Sequence, residues 1–382
     1  MIAECIGAVS LGVWIYLIFA RGGFWRMKLQ TRSANASIIS ARRIAVIVPA
    51  RNEAETVAST IKSLLHQDYS GPVRIFLIDD HSSDGTAENA RQVAARAKRD
   101  ERLTIIAATP LPVGWTGKLW ALSEGIAAAK EFAPDYYWFT DADVIHEPDV
   151  LQNSLARAET AGFDLISLMV KLRSRSFAEH LLIPAFVFFF FKLYPPEWIA
   201  SPRKRTAAAA GGCILIRSAA LARIGGIATI RDQLIDDCAL ARAVKRSGGK
   251  IWLGVTEQSK SERAYESSGQ VGRMIARTAF TQLRHSLLLL GGAVLAMLIT
   301  YVAPVALLGT TKVAAVLGLA AWGLMVVAYL PTLRLYRLSW VWALLLPITA
   351  LFYVGATIGS ALQYWRGRGG AWKGRVHGLV GS

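Results

Sequence analysis

The apolar residues of this chain are concentrated at its two ends, and that distribution restricts the fold more than any single motif does. Ile2 to Ala20 is a 19-residue apolar run interrupted by Glu4, about the length needed to cross a hydrocarbon core of roughly 30 Å. Positive charge follows the run (Arg21, Arg26, Lys28) instead of preceding it. It therefore reads as an uncleaved anchor with its start outside and the main domain inside, and not as a secretory signal. Three more spans are expected at Ser286–Leu308, Val313–Leu333 and Trp340–Leu362. Pro304, Pro331 and Pro347 fall within or at the ends of these, which membrane helices tolerate. Four spans starting outside leave the tail after Trp365 outside, whereas its Arg366, Arg368, Lys373 and Arg375 favour the cytosolic side. The number of full spans and the side of the C-terminus stay open. A shorter run, Leu181 to Tyr194, carries Phe186 and Phe188 to Phe191 and has the length of an interfacial or a buried helix. The preferred reading lays it in the headgroup layer, ended by Pro195-Pro196, with Arg203, Lys204 and Arg205 following as contacts for anionic lipid.

Between these ends, residues 40 to 280 have the mixture of an ordinary globular domain. With 53% hydrophobic residues and a mean hydropathy of +0.35 the whole chain is too apolar for a soluble enzyme. The net charge of +16 fits either nucleic acid or an anionic lipid surface. No aromatic-basic platform accompanies it and many basic residues flank the spans, so lipid is expected and nucleic acid is not. Cys5, Cys213 and Cys238 have no metal or disulfide spacing, which suits a reducing compartment. The expected organisation is an anchor over 1–21, a cytosolic domain over 40–282, spans over 283–365 and a basic tail over 366–382.

From Arg43 the chain alternates short apolar runs with helical patterns. Ile44–Ala50 is a continuous, largely β-branched run suited to a buried parallel strand. A helix over 54–66 follows, then a strand over Arg74–Asp80, a helix over 84–98, a strand over Leu103–Ala108, a helix over 118–130 and an aromatic strand from Tyr136. That order predicts an α/β fold with a doubly wound, mostly parallel, Rossmann-like sheet. Ligands of such sheets sit outside the carboxyl ends of the strands, where Asp79, Asp80, Asp141 and Asp143 fall.

Asp141-Ala142-Asp143 can turn two hard carboxylates toward one site, the ligand type that holds Mg²⁺ or Mn²⁺ against a pyrophosphate. Asp79 and Asp80 can accept hydrogen bonds from a nucleobase or ribose, and Asp84 suits a helix N-cap. Gly114-Trp115-Thr116-Gly117-Lys118 is a glycine-containing loop before a helix, with Lys118 as a point charge for phosphate; it lacks P-loop spacing. Asp236-Asp237 precedes a helical stretch from Cys238 and offers a general base. A helix N-terminus ordinarily lowers a carboxyl pKa, so the base needs desolvation, for which a nearby membrane surface is the expected source. Gln270-x-x-Arg273 lies before the second span, where Arg273 can pair with a pyrophosphate. His146, five residues after Asp141, is the one histidine near the presumed site.

With those residues in place, the chain resembles a family 2 glycosyltransferase of the GT-A fold. The matching stretches are Val46–Glu53, Ile78–Thr86, Thr140–Asp143, Asp236-Asp237 and Gln270–Met274. More narrowly it is similar to the hopene-associated glycosyltransferases of hopanoid-producing bacteria, through Gly114–Ala121, Leu165–Leu172, Leu181–Phe191, Ala207–Cys213, Leu234–Ala241 and Arg277–Leu283. The resemblance implies an inverting transfer from a nucleotide-diphosphate sugar to a membrane lipid, with a divalent cation (Mg²⁺ or Mn²⁺). It implies Asp237, with Asp236, as the base, and Asp143, with Asp141, at the metal. Donor contacts are implied for Pro49, Arg51, Glu53, Asp79, Asp80, Lys118, Asp141, Gln270 and Arg273. Met274 stands where related synthases have tryptophan beside the acceptor. The location implied is the inner membrane, with the catalytic domain in the cytosol. Rival readings are transfer to a polyprenyl phosphate or carotenoid-type lipid, and a non-catalytic membrane scaffold that retains the donor pocket.

Overall fold

The run Ile44–Ala50 forms strand β1, and all seven of its residues are buried. That is what a strand covered on both faces requires. A computed structural model of the chain describes residues 1–27, 29 and 41–367. The remaining strands among these are β2 (Val73–Asp79), β3 (Leu103–Ala107), β4 (Tyr136–Thr140), β5 (Val144–His146), β6 (Leu165–Lys171), β7 (Cys213–Arg217) and β8 (Ile251–Ser261). The chain divides into two compact units, one with bounds Lys28–Leu172 and Trp198–Arg263, the other with bounds Met1–Met27, Arg173–Glu197 and Ala264–Ser382.

The first unit contains the sheet, in the order β3-β2-β1-β4-β7-β6-β8-β5. β1 pairs parallel with β2 and with β4, and β2 pairs parallel with β3. The connections wind outward from β1 to β3, then return to place β4 on its other side. The reversal opens a crevice beyond the carboxyl ends of β1 and β4. β7 departs from the parallel expectation, since it runs antiparallel to both β4 and β6. This reversal brings Cys213, the first residue of β7, opposite Thr140, the last of β4. The Gly211-Gly212 turn before β7 therefore lies at the same sheet edge as Asp141. β6 and β8 are parallel to each other, and β5 pairs antiparallel with β8, setting Val144 opposite Ser261.

The helices expected over 54–66, 84–98 and 118–130 are Val57–Leu65, Thr86–Arg96 and Gly117–Ala128. The N-cap of the second is Gly85, at φ +88°, and not Asp84. Asp84 still serves this end, because its Oδ1 accepts from both the backbone N–H and the hydroxyl of Thr86. Helix Gly117–Ala128 approaches the sheet through Gly125, where an added Cβ would lie 2.4 Å from Ile47 Cγ2. Gly125→Ala should therefore lower stability. Overpacking costs about 1–3 kcal/mol and the gain in helix propensity offsets only about 1 kcal/mol. A fall in the thermal midpoint of the purified protein is the expected result.

Among the described residues of the second unit four helices are long and apolar enough to cross a membrane: Ile2–Phe19, Leu287–Gly309, Lys312–Leu335 and Leu346–Trp365. The second is not one uniform α-helix. A π turn over Leu298–Val302 precedes Pro304, whose missing N–H disrupts the regular ladder. The fourth begins later than expected, after a separate short helix, Val341–Leu344. The phenylalanine-rich helix is Phe177–Leu193 and belongs to this unit. Pro184 lies within it, and the hydroxyls of Tyr353 and Thr349 donate to the nearby carbonyls of Leu182 and Leu181. Leu182, Ile183, Val187, Phe188 and Phe191 are buried, so this face packs within its unit, whereas Phe177 and Leu193 at the two ends are exposed. Of the expected basic tail, Arg368, Lys373 and Arg375 lie outside the described residues.

Candidate active site

The crevice at the ends of β1 and β4 is an open cleft. Its walls are apolar (Leu119, Leu122, Phe139, Ile214, Ile227, Ile230 and Leu240), and Lys118, Asp141, Asp236 and Asp237 supply the charge. Pro49 from β1 also lines it. Lys118 sits in the first turn of helix Gly117–Ala128, which Thr116 caps by accepting from the Leu119 N–H. Its Nζ lies 2.7 Å from Asp141 Oδ1 and 3.6 Å from Asp236 Oδ2. Burial opposes the charge on Lys118, but Asp141 and Asp236 outweigh it and hold the ammonium above the ordinary lysine range. Lys118 is thus the counter-ion of the carboxylates in this state. The Asp141 carboxyl is raised, first by burial and then by Asp143, with Lys118 opposing.

Asp236 and Asp237 lie inside the first turn of helix Asp236–Arg246, a shift from their expected place before it. Asp237 Oδ1 accepts from the Cys238 N–H at 2.7 Å, and Oδ2 accepts from the Gly211 N–H at 2.9 Å. A Cβ at Gly211 would stand 3.2 Å from Lys118 Nζ and 3.4 Å from Asp237 Oδ2, so the turn approaches both groups closely. Burial, then the like charge of Asp236, pushes the Asp237 carboxyl up to about 6, against Lys118 and the two backbone N–H groups. The desolvation that this carboxylate needs comes from burial within the sheet unit itself.

Asp143 is held apart from that cluster. It is buried, and its Oδ2 accepts from Ser261 Oγ at 3.0 Å and from Arg263 Nε at 2.9 Å. Arg263 Nη2 also donates to Glu53 Oε1 at 2.6 Å, so Glu53 binds a neighbouring arginine in this structure. Asp80 is 2% exposed. Its Oδ2 is 3.4 Å from Arg51 Nη1 and its Oδ1 is 3.2 Å from His81 Nδ1. Asp79 closes the following turn by accepting from the Ser82 N–H. Asn52 and His81, both at positive φ, occupy the loops after β1 and β2, and the Asn52 N–H donates to Ser82 Oγ. Strained residues of this kind gather where a sheet presents a site.

His146 is not exposed to a ligand. One ring nitrogen is 2.8 Å from Thr140 Oγ1 and the other 2.8 Å from Ser259 Oγ, and burial pushes its imidazole down to about 3. It is a neutral tie beneath the D-x-D turn, since Thr140 also donates to the Gly212 carbonyl. Gln270 and Arg273 lie in the other unit on helix Ser268–Gln282. There Gln270 Oε1 accepts from the Glu266 N–H, and Arg273 is exposed. Ser261, Arg263 and Gly211 carried no assigned role in the sequence. The one hint was Gly211 within Ala207–Cys213.

A divalent cation fits these residues in a limited way. Among the described residues no group of three or more His, Cys, Asp or Glu side chains forms a cage. Asp141 and Asp143 are two hard carboxylates on one turn, and Oδ1 of Asp143 accepts no hydrogen bond from any described residue. That set suits an ion bound by one or two carboxylates together with phosphate oxygens of a substrate.

Comparison with known proteins agrees with the fold. The model of "Glycosyltransferase like family 2" matches residues 41–255, more than half of the chain. An N-acetylglucosaminyltransferase of Azorhizobium caulinodans is 31% identical over 143 residues, which is 37% of this chain and 34% of that protein, so the match spans about a third of the relative's length. The mannosyltransferase PcManGT of Pyrobaculum calidifontis, solved with GDP-Man and Mn²⁺, has a TM-score of 0.58 at 18% identity, covering 94% of this chain and 98% of that one. Glucosyl-3-phosphoglycerate synthase of Mycobacterium tuberculosis, solved with Mg²⁺ and UDP, reaches a TM-score of only 0.43 at 18% identity, covering 66% of this chain and 80% of that one. At such identities the likeness concerns the fold alone. The sheet is of the GT-A type, curled and mostly parallel. The chain belongs to the glycosyltransferase-like family 2.

Proposed function

We propose that the protein is an inverting glycosyltransferase that moves a sugar from a nucleotide-diphosphate sugar to a membrane lipid. The observation that carries this reading is the group of three carboxylates around one ammonium, Asp141, Asp236 and Asp237 about Lys118, at the reversal point of the sheet. In the step proposed, the acceptor hydroxyl oxygen bonds to the anomeric carbon while the bond from that carbon to the β-phosphate oxygen breaks. The hydroxyl proton passes to Asp237, and the nucleoside diphosphate leaves with the bonding electron pair. Two backbone N–H groups fix the Asp237 rotamer, and its raised pKa brings it closer to the operating pH, where general bases are most effective. Lys118 is placed to exchange carboxylate partners for a donor phosphate. A divalent cation held by Asp141 and Asp143 would supply charge neutralisation for the leaving pyrophosphate.

The crevice is open, with Lys118 and the three carboxylates on its wall as the groups that would meet the sugar and diphosphate, while Arg51 and Asp80 at the end of β2 would meet the nucleoside. The lipid acceptor is supported by the four apolar helices and by the basic residues that follow the first of them. Those residues also favour a cytosolic catalytic unit at the inner membrane. The narrower likeness to hopene-associated glycosyltransferases makes an apolar terpenoid lipid the first acceptor to test.

Purified full-length protein should be incubated with UDP- and GDP-sugars and total membrane lipid, with and without EDTA, and the lipid fraction analysed by mass. A lipid gaining one hexose or N-acetylhexosamine, absent with EDTA and in Asp143→Ala and Asp237→Asn proteins, is the expected result. Transfer only to water-soluble acceptors, or inertness with every donor, would overturn the reading.

A further inference from the structure

Both flanks of the D-x-D turn are fastened from distant parts of the chain. The Ala142 carbonyl accepts from the hydroxyls of Thr60 at 2.9 Å and Thr56 at 3.2 Å. The Asp143 carbonyl accepts from the Glu262 N–H at 2.9 Å. Among the described residues, the Asp143 side chain takes its hydrogen bonds on Oδ2, from Ser261 Oγ and Arg263 Nε. The Arg263 guanidinium is itself held, with Nη2 2.6 Å from Glu53 Oε1. All of these groups converge because β8 ends beside β5, with Ser261 opposite Val144.

We propose that Arg263, held by Glu53 and assisted by Ser261, is a positioning residue that pins one oxygen of Asp143 and so presents the other, Oδ1, to the donor-bound cation. The inference rests on the cation reading given above and goes beyond it, since it assigns a role to three residues outside the D-x-D. A carboxylate whose second oxygen is saturated by fixed donors has its rotamer set in advance. Outer partners of that kind commonly change metal affinity by about 10–100-fold. The competing reading of the same geometry is opposite in sign: Arg263 would occupy the cation's place, and removing it would tighten binding.

The test is the affinity of purified full-length protein for Mn²⁺, read from the free-ion electron paramagnetic resonance signal, with Mn²⁺ alone and with Mn²⁺ plus UDP or GDP. Arg263→Gln should weaken binding about 10–100-fold, and Ser261→Ala should weaken it by a smaller factor. Arg263→Lys keeps the charge but loses the rigid fork whose Nε and Nη2 hold Asp143 and Glu53 at once, so it should weaken binding by less than the glutamine variant. Thermal midpoints of all three identify any variant that fails to fold, in which case Ser261→Ala decides. Unchanged or tighter binding in Arg263→Gln and Ser261→Ala, with normal binding by the wild type, would overturn this inference alone. Absence of Mn²⁺ binding by the wild type in every condition would overturn the cation reading and this inference with it.

Discussion

Asp237→Asn should reduce kcat by about 10²–10⁴-fold, the range expected when a general base is removed from a transfer step. The substitution preserves shape, and its carbonyl oxygen still accepts one of the two backbone hydrogen bonds from Gly211 and Cys238. KM for the donor should change little, because the group acts on the acceptor proton. The pH dependence carries a separate signature. A base must be ionised, so activity in the wild type should rise with pH through about 6, where burial and Asp236 place the Asp237 carboxyl. An ordinary exposed aspartate would place that limb near 4. Asp236→Asn removes the like charge and should move the limb to lower pH. A kcat/KM profile measured between pH 4.5 and 8.5 on each protein checks both directions.

Lys118→Met should have the second large effect, and on two quantities at once. The ammonium is the counter-ion of Asp141 and Asp236, and its side chain is 21% exposed. Breaking a buried ion pair from one side typically costs about 3–5 kcal/mol; partial exposure here argues for the lower part of that range. The carboxylates can relieve the excess charge by taking up a proton. Asp237 therefore loses a neighbour that favours its ionised form, and the acid limb should move above 6. That direction is opposite to the effect of Asp236→Asn. A lowered thermal midpoint together with an upward shift of the limb is the expected pair. Loss of activity with the limb unmoved would mean that Lys118 acts on the donor alone.

The parts of this fold that sequence made legible are those set by local pattern. Ile44–Ala50 reads as a buried strand because its apolar run is unbroken, and the carboxylates at 79, 80 and 141 fall at strand ends by simple counting. The direction of β7 was not legible, because Cys213–Arg217 is an apolar run that suits either direction, and its pairing with β4 decides. That direction is what brings Gly211 to Asp237. The Arg263 contacts were hidden for a different reason, since they join residues 120 and 210 positions apart. No local periodicity records such a pairing. Asp237 illustrates the middle case: its chemistry was read from residue type and helix position, whereas the burial that raises its pKa depends on the walls of the cleft.

A cryo-EM structure of the full-length protein with Mn²⁺ and a nucleoside diphosphate would examine the central claim most directly. The expected result is the diphosphate in the crevice beyond β1 and β4, with metal density against Asp141 and Asp143 and Lys118 turned from Asp141 toward a phosphate oxygen. A nucleotide bound elsewhere, with Lys118 still on Asp141 and no density beside Asp143, would contradict it.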